Sequence, residues 1–179
     1  MSPTPNGPIV QIGYLVENVQ EGIAFWSKQL GIGPWMEFRN VTMEGTYRGQ
    51  PTSIRMHVAL GYQGELQIEL IEPVNDAPSP YRGADGKVLL GIHHIAWLSD
   101  RLEDSVQPML ESGCTIALMA ENPTTRVAYL ENPAAPAVLY EFIESTATAE
   151  LIKQGIATSR NWDGSNPVTT IDFEAMAQG

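Results

Sequence analysis

Apolar residues along this chain recur with two periods, and the same succession of periods occurs twice. Ile9 to Val16 alternates, with Gln11, Gly13 and Leu15 on one face, as a strand does. Asn18 then offers a helix N-cap with Glu21 three residues on, and Ile23, Phe25, Trp26 and Leu30 make a helical stripe that Gly31 and Gly33 end. Pro34 to Val41 predicts a second strand. Thr42 to Thr52, holding Gly45, Gly49 and Pro51, predicts a loop or irregular hairpin connection. Ile54 to Leu60 and Leu66 to Ile71 predict two more strands around a turn at Gly61-Tyr62-Gln63-Gly64. The order is β-α-β-β-β.

Prolines, glycines and small polar residues fill 73–90 and mark a linker long enough to cover a site. Beyond it come a strand at His93 to Ser99 and a helix from Leu102 to Glu111, kinked or limited by Pro108 and ended by Gly113. Strands follow at Thr115 to Met119, Arg126 to Glu131 and Ala137 to Glu144, so the order repeats. The repeat reaches single residues. Gln11 to Val19 aligns with His94 to Leu102, and Leu66 to Glu72 with Val138 to Glu144, both without gaps. One domain is expected for residues 1–179, built of module 8–72 and module 91–144. The tail, 145–179, shows a helix at Ala147 to Ile156 and a turn over an anchored Trp162, with no readable function.

The net charge of -11 and pI near 4.6 argue against a nucleic-acid backbone as partner, because that interaction needs Lys and Arg to neutralise phosphates. An anionic substrate would need a local patch drawn from Arg39, Arg48, Arg55, Arg82 and Arg126. Cys114 is the single cysteine, which rules out an intrachain disulfide and reads as a small core residue in a reducing compartment. Met1 to Pro8, kept extended by Pro3, Pro5 and Pro8, carries no signal-peptide pattern, and no apolar stretch approaches the ~20 residues of a membrane span. A cytoplasmic protein is expected.

The repeat also organises the candidate chemistry. Each half opens with one possible metal ligand, Gln11 or His94, and closes with another, Glu69 or Glu141. A divalent metal needs three or four converging N or O donors, and two modules paired about a pseudo-twofold axis bring equivalent positions together. Glu69 and Glu141 sit among apolar neighbours, where an unpaired carboxylate is costly and ligation or a salt bridge relieves the cost. His94 is preferred to His93 because it aligns with Gln11 and because strand alternation should turn the two rings to opposite faces. That leaves His93 structural or supporting. Gln67 shares a face with Glu69, as a supporting residue or rival ligand. His57 reads as a core or solvent-facing residue, or an acid/base group. Tyr14 and Trp97 hold one equivalent position and should pack on helices.

Over Pro8 to Glu144 these residues resemble the vicinal oxygen chelate superfamily, which includes glyoxalase I, methylmalonyl-CoA epimerase, extradiol dioxygenases and fosfomycin-resistance enzymes. The run Gly91 to Trp97 is similar to the epimerases, and Ile68-Glu69-Leu70 and Tyr140-Glu141-Phe142 to the ligand-bearing strands of glyoxalases. The resemblance implies an α+β fold in which two paired βαβββ modules form a cupped, barrel-like mixed sheet with helices outside. It implies a divalent metal, Zn, Ni, Co, Mn or Mg, on Gln11, Glu69, His94 and Glu141. The activity implied is that of an isomerase or lyase that abstracts a proton next to a carbonyl through an enediolate or enolate, with Glu141 as base and Glu69 opposite. Its substrate would be a small molecule such as a thioester or thiol adduct, and sheet edges together with the resemblance suggest a homodimer. The alternatives are an extradiol-type dioxygenase, which needs two histidines where Gln11 replaces one and only His57 could substitute, and a non-catalytic small-molecule-binding protein.

Overall fold

The computed structural model describes residues 6–177, so the extended run through Pro3 and Pro5 lies outside the described residues. Among them the elements run β1 (Gln11–Leu15), α1 (Val19–Leu30), β2 (Trp35–Tyr47), β3 (Gln50–Gln63), β4 (Leu66–Pro73), β5 (Gly91–Leu98), α2 (Leu102–Glu111), β6 (Thr115–Glu121), β7 (Arg126–Glu131), β8 (Leu139–Glu144), α3 (Thr146–Arg160), β9 (Val168–Asp172) and α4 (Phe173–Ala177). One mixed sheet takes them in the order β3-β4-β1-β5-β8-β7-β6-β2-β9, and the further pairing of β3 with β2 closes its first eight strands into a barrel. The fold is α+β with helices outside a barrel-like sheet. Closure joins β3 to β2 within the chain, and β9 forms the edge of the sheet among the described residues.

Both halves use one register. β1 pairs in parallel with β4, placing Gly13 beside Glu69, and β5 pairs in parallel with β8, placing Ala96 beside Glu141. Where the halves meet, β1 and β5 run antiparallel with Gln11 opposite Ala96 and Gly13 opposite His94. Exchanging the halves maps this pairing onto itself, as a local twofold axis requires. Asn18 caps α1 by accepting from the Glu21 amide, and Gly31 ends it in the left-handed conformation. α1 buries Val19 and Ile23 against Trp35, Ile68 and Leu70, while α2 buries Leu102 and Val106 against Ala128, Leu130 and Phe142. Tyr14 packs on Trp26 of α1, and Trp97 stacks on Phe142 beside α2.

Several local expectations are corrected. Residues 42–52 are the ends of two long strands, not a loop: β2 and β3 pair down to Tyr47 and Gln50 around a two-residue turn in which Arg48 and Gly49 both have positive φ, 47° and 78°. Such a turn matches strand twist, so one glycine at its second position suffices to make a tight hairpin. Gly45 and Pro51 lie inside the strands, opposite Ala120 and Thr46. The next turn falls at Gly64-Glu65, leaving Gly61 and Tyr62 in β3. Phe25 and Leu30 leave the apolar stripe of α1 for solvent, 57% and 51% exposed. The tail is structured: α3 starts at Thr146 and runs on to Arg160, Trp162 Nε1 donates to the Ser165 carbonyl, and β9 adds in parallel to β2.

Candidate metal centre

Four adjacent strands, β4, β1, β5 and β8, carry Glu69, Gln11, His94 and Glu141 into the barrel. The three oxygen-bearing side chains converge on one nitrogen: His94 Nε2 lies 3.1 Å from Gln11 Oε1, 3.2 Å from Glu69 Oε2 and 3.0 Å from Glu141 Oε2. Gln11, His94 and Glu141 are buried, and Glu69 nearly so. Gly13 makes room, because a Cβ there would collide with the His94 ring. The ring nitrogen hydrogen-bonds to Gln11, while buried Glu141 Oε2 makes no well-aligned hydrogen bond and meets the same nitrogen as an ion pair at 3.0 Å. Two carboxylates face one imidazole in this buried place, an excess of negative charge that a cation would relieve.

Each half orients its first donor from behind. Gln11 Nε2 donates to Gln67 Oε1 at 2.7 Å, Gln67 Nε2 donates to the Tyr62 hydroxyl at 2.6 Å, and that hydroxyl donates to the Leu151 carbonyl of α3 at 3.3 Å. This relay fixes which end of the Gln11 amide faces the site: the oxygen. In the second half His93 Nδ1 meets His94 Nδ1 at 3.0 Å, and His93 Nε2 meets the Pro80 carbonyl at 3.2 Å. A carbonyl only accepts, so His93 carries its proton on Nε2 and accepts at Nδ1. His94 Nδ1 is then the donor, which leaves His94 Nε2 as the nitrogen available to a metal. The expected opposite facing of the two rings is thus corrected. β5 is bulged against β1, pairing Gly13 with His94 and Tyr14 with Ile92, so His93 is the extra residue and alternation fails there.

Electrostatics follow from this packing. Burial works to lower the His94 pKa, but Glu141 and Glu69 outweigh it and hold the imidazolium up to about 10. Burial and the neighbouring His94 drive His93 down to about 3, consistent with its neutral tautomer. Burial raises the Glu69 pKa, His94 opposing and Glu141 adding to the rise. The hydroxyls of Tyr81 and Tyr129, 3.5 Å apart, are kept un-ionised mainly by burial.

One imidazole and three oxygen donors suit a hard or borderline divalent ion, and the clustering of Glu69, His94 and Glu141 fits one. Above them lies an open cavity of about 200 Å³, with Gln11, Glu69 and Glu141 among its lining residues. His57 does not line it. That ring accepts from the Asn40 amide at 3.1 Å, on the strand face opposite Met56 and Val58, which do. The sequence reading missed Tyr81, Tyr129 and Tyr62. Tyr81 comes from the linker, whose covering role was anticipated, but nothing local distinguished the two strand tyrosines from ordinary core.

Eight strands closed from two like-registered halves, with inward donors at equivalent positions, define a paired-module barrel. The chain belongs to the Glyoxalase/Bleomycin resistance protein/Dioxygenase superfamily, whose family model matches residues 10–129. A hypothetical protein from Bacillus halodurans C-125 is similar at 28% identity and a TM-score of 0.53, covering 78% of this chain and 94% of that one. Methylmalonyl-CoA epimerase from Mycobacterium tuberculosis shares the fold at 16% identity and a TM-score of 0.55, covering 84% and 96%. No curated protein matches the chain. No helix among the described residues is long and apolar enough to cross a membrane.

Proposed function

We propose that this chain is a metal-dependent isomerase or lyase of glyoxalase and epimerase type, which moves a proton at the carbon beside a carbonyl. The observation that carries the reading is the convergence of Gln11, Glu69 and Glu141 on His94 Nε2 beneath an open cavity. These four residues would hold the metal, one from each of four strands of modules 8–72 and 91–144, with 73–90 as the linker that supplies Tyr81. A divalent metal bound there supplies Lewis-acid stabilisation of negative charge growing on a substrate oxygen.

The remaining work falls to the chain. Glu141 is the base: it lines the cavity, and its buried Oε2 is held only by the ion pair with His94, whose proton a bound metal would displace. Glu69, whose pKa burial raises, stands opposite and is suited to carry a proton and return it. Tyr81 and Tyr129 line the same cavity as un-ionised hydroxyls, able to donate to a substrate oxygen. The dioxygenase alternative needs a second imidazole, yet His57 faces away and both nitrogens of His93 are engaged. A binding protein would hold a ligand without exchanging its protons. NMR in D₂O separates the two: metal-loaded protein should speed deuterium uptake into the methyl group of 1-phenyl-1,2-propanedione, and Glu141→Gln should abolish the acceleration. Uptake no faster than in buffer, or unchanged in the variant, overturns the reading.

A further inference from the structure

The cavity wall is notable for its charges. Ten Lys and Arg residues occur in the sequence, and none lines the cavity; among the described residues its only charged lining residues are Glu69 and Glu141. The arginines are engaged elsewhere: Arg48 with Glu131, Arg55 with Glu174 and Asn40, Arg82 with Asp76, and Arg126 with Glu103, Glu121 and Glu144. Most of the wall is aliphatic or aromatic, and its other polar groups are amides and hydroxyls. The tail contributes to the enclosure. Ala147 and Leu151 of α3 line it, as does Phe173, which stacks on Phe38 at 6.2 Å, held where β9 pairs with β2. These tail residues lie beyond the stretch that the family model matches.

From this lining we infer that the part of the substrate seated in the cavity is uncharged and largely apolar, a neutral carbonyl compound or acyl group with its oxygen toward the floor and its apolar body against β2, β3 and the tail. The inference rests on the metal-dependent reading for its floor. A divalent ion held there would already be neutralised by two carboxylates, with its Lewis acidity directed to the carbonyl oxygen, and the wall supplies no cation, so an additional carboxylate or phosphate would be desolvated without compensation. A methylmalonyl group carries such a carboxylate and would be disfavoured. A thioester would have to leave its charged nucleotide outside the mouth.

An isosteric pair tests this: 1-phenyl-1,2-propanedione is neutral, and benzoylformate places a carboxylate oxygen where the other has a methyl group. Calorimetric titration of the manganese-loaded full chain should show the neutral compound binding tighter by about tenfold or more, the desolvated anion being penalised. Leu151→Arg should shift the preference toward benzoylformate by putting a cation on the tail's side of the wall. Equal or tighter binding of benzoylformate to the unaltered chain overturns the substrate class, and an unshifted preference in Leu151→Arg overturns the tail's place in the wall. Manganese content of the same samples is read separately. Protein that keeps no manganese but still prefers the neutral compound would remove the metal reading and leave the inferred ligand class standing.

Discussion

The two halves aim equivalent donors by different means. In the first, an amide is aimed through a second amide and a phenol; in the second, an imidazole is aimed through a bulged imidazole and a carbonyl from the linker. They differ also in length, with β2 and β3 of 13 and 14 residues against β6 and β7 of 7 and 6. The longer pair is where α3 and β9 dock. The strand register that places the donors is common to both halves, whereas the supports behind the donors and the hairpins beyond them have diverged. Shared register brings four candidate donors together, and separate supports allow each to be disturbed alone.

Removing a donor should break the comparison most severely. His94→Ala takes away the only imidazole at the site and leaves Glu69 and Glu141 facing each other without its charge. Metal affinity by calorimetry should fall by more than the about 10- to 100-fold that loss of a supporting residue costs. Glu141→Gln retains an oxygen donor, so metal should largely stay while turnover falls about 10²- to 10⁴-fold, the contribution of a positioned base. Loss of metal and activity in parallel would instead make Glu141 a ligand alone.

Supports come next, and here the halves can be weighed against each other. Gln67→Leu frees the Gln11 amide to turn, and His93→Ala removes the acceptor that holds the His94 tautomer. Each should weaken metal binding about 10- to 100-fold with the fold intact by circular dichroism. Tyr62→Phe, which removes the acceptor of Gln67 but leaves the Gln11–Gln67 bond in place, should cost less than Gln67→Leu. An unaffected His93→Ala protein would show that the second half aims His94 through the strand backbone alone.

The last effect is one of pH. In metal-free protein the His94 pKa is about 10 against 6.5 for an unperturbed histidine, so its proton stabilises the fold fully below pH 6.5, and that contribution is lost as pH rises toward 10. Thermal melts of metal-stripped protein should therefore fall across this window, and His94→Ala should flatten the slope. A metal displaces the same proton, so the loaded protein should lack the slope as well.

Much of this was legible because strands and donors follow a period that the chain states twice. Gln11, Glu69, His94 and Glu141 were legible as candidate donors because the gapless alignment pairs their positions and the family resemblance implies them as a set. The bulge at His93 could not be. An extra residue in a strand leaves no compositional mark when its neighbours are also β-formers, and it reversed the expected facing of one ring. The long β2–β3 hairpin was hidden by Gly45, Gly49 and Pro51, which read as loop punctuation although the strands pair through them. The tail escaped for another reason: β9 is a short strand whose partner lies more than a hundred residues away, and its exposed residues give no core signal.

The central claim, that both halves contribute to one metal centre, is tested most directly by anomalous diffraction from crystals of the full chain grown with manganese. A single strong peak per chain, within about 2.0–2.2 Å of donor atoms from Gln11, Glu69, His94 and Glu141, is the predicted result. A peak coordinated by one half only, or manganese bound elsewhere with these four side chains still packed on one another, would contradict it.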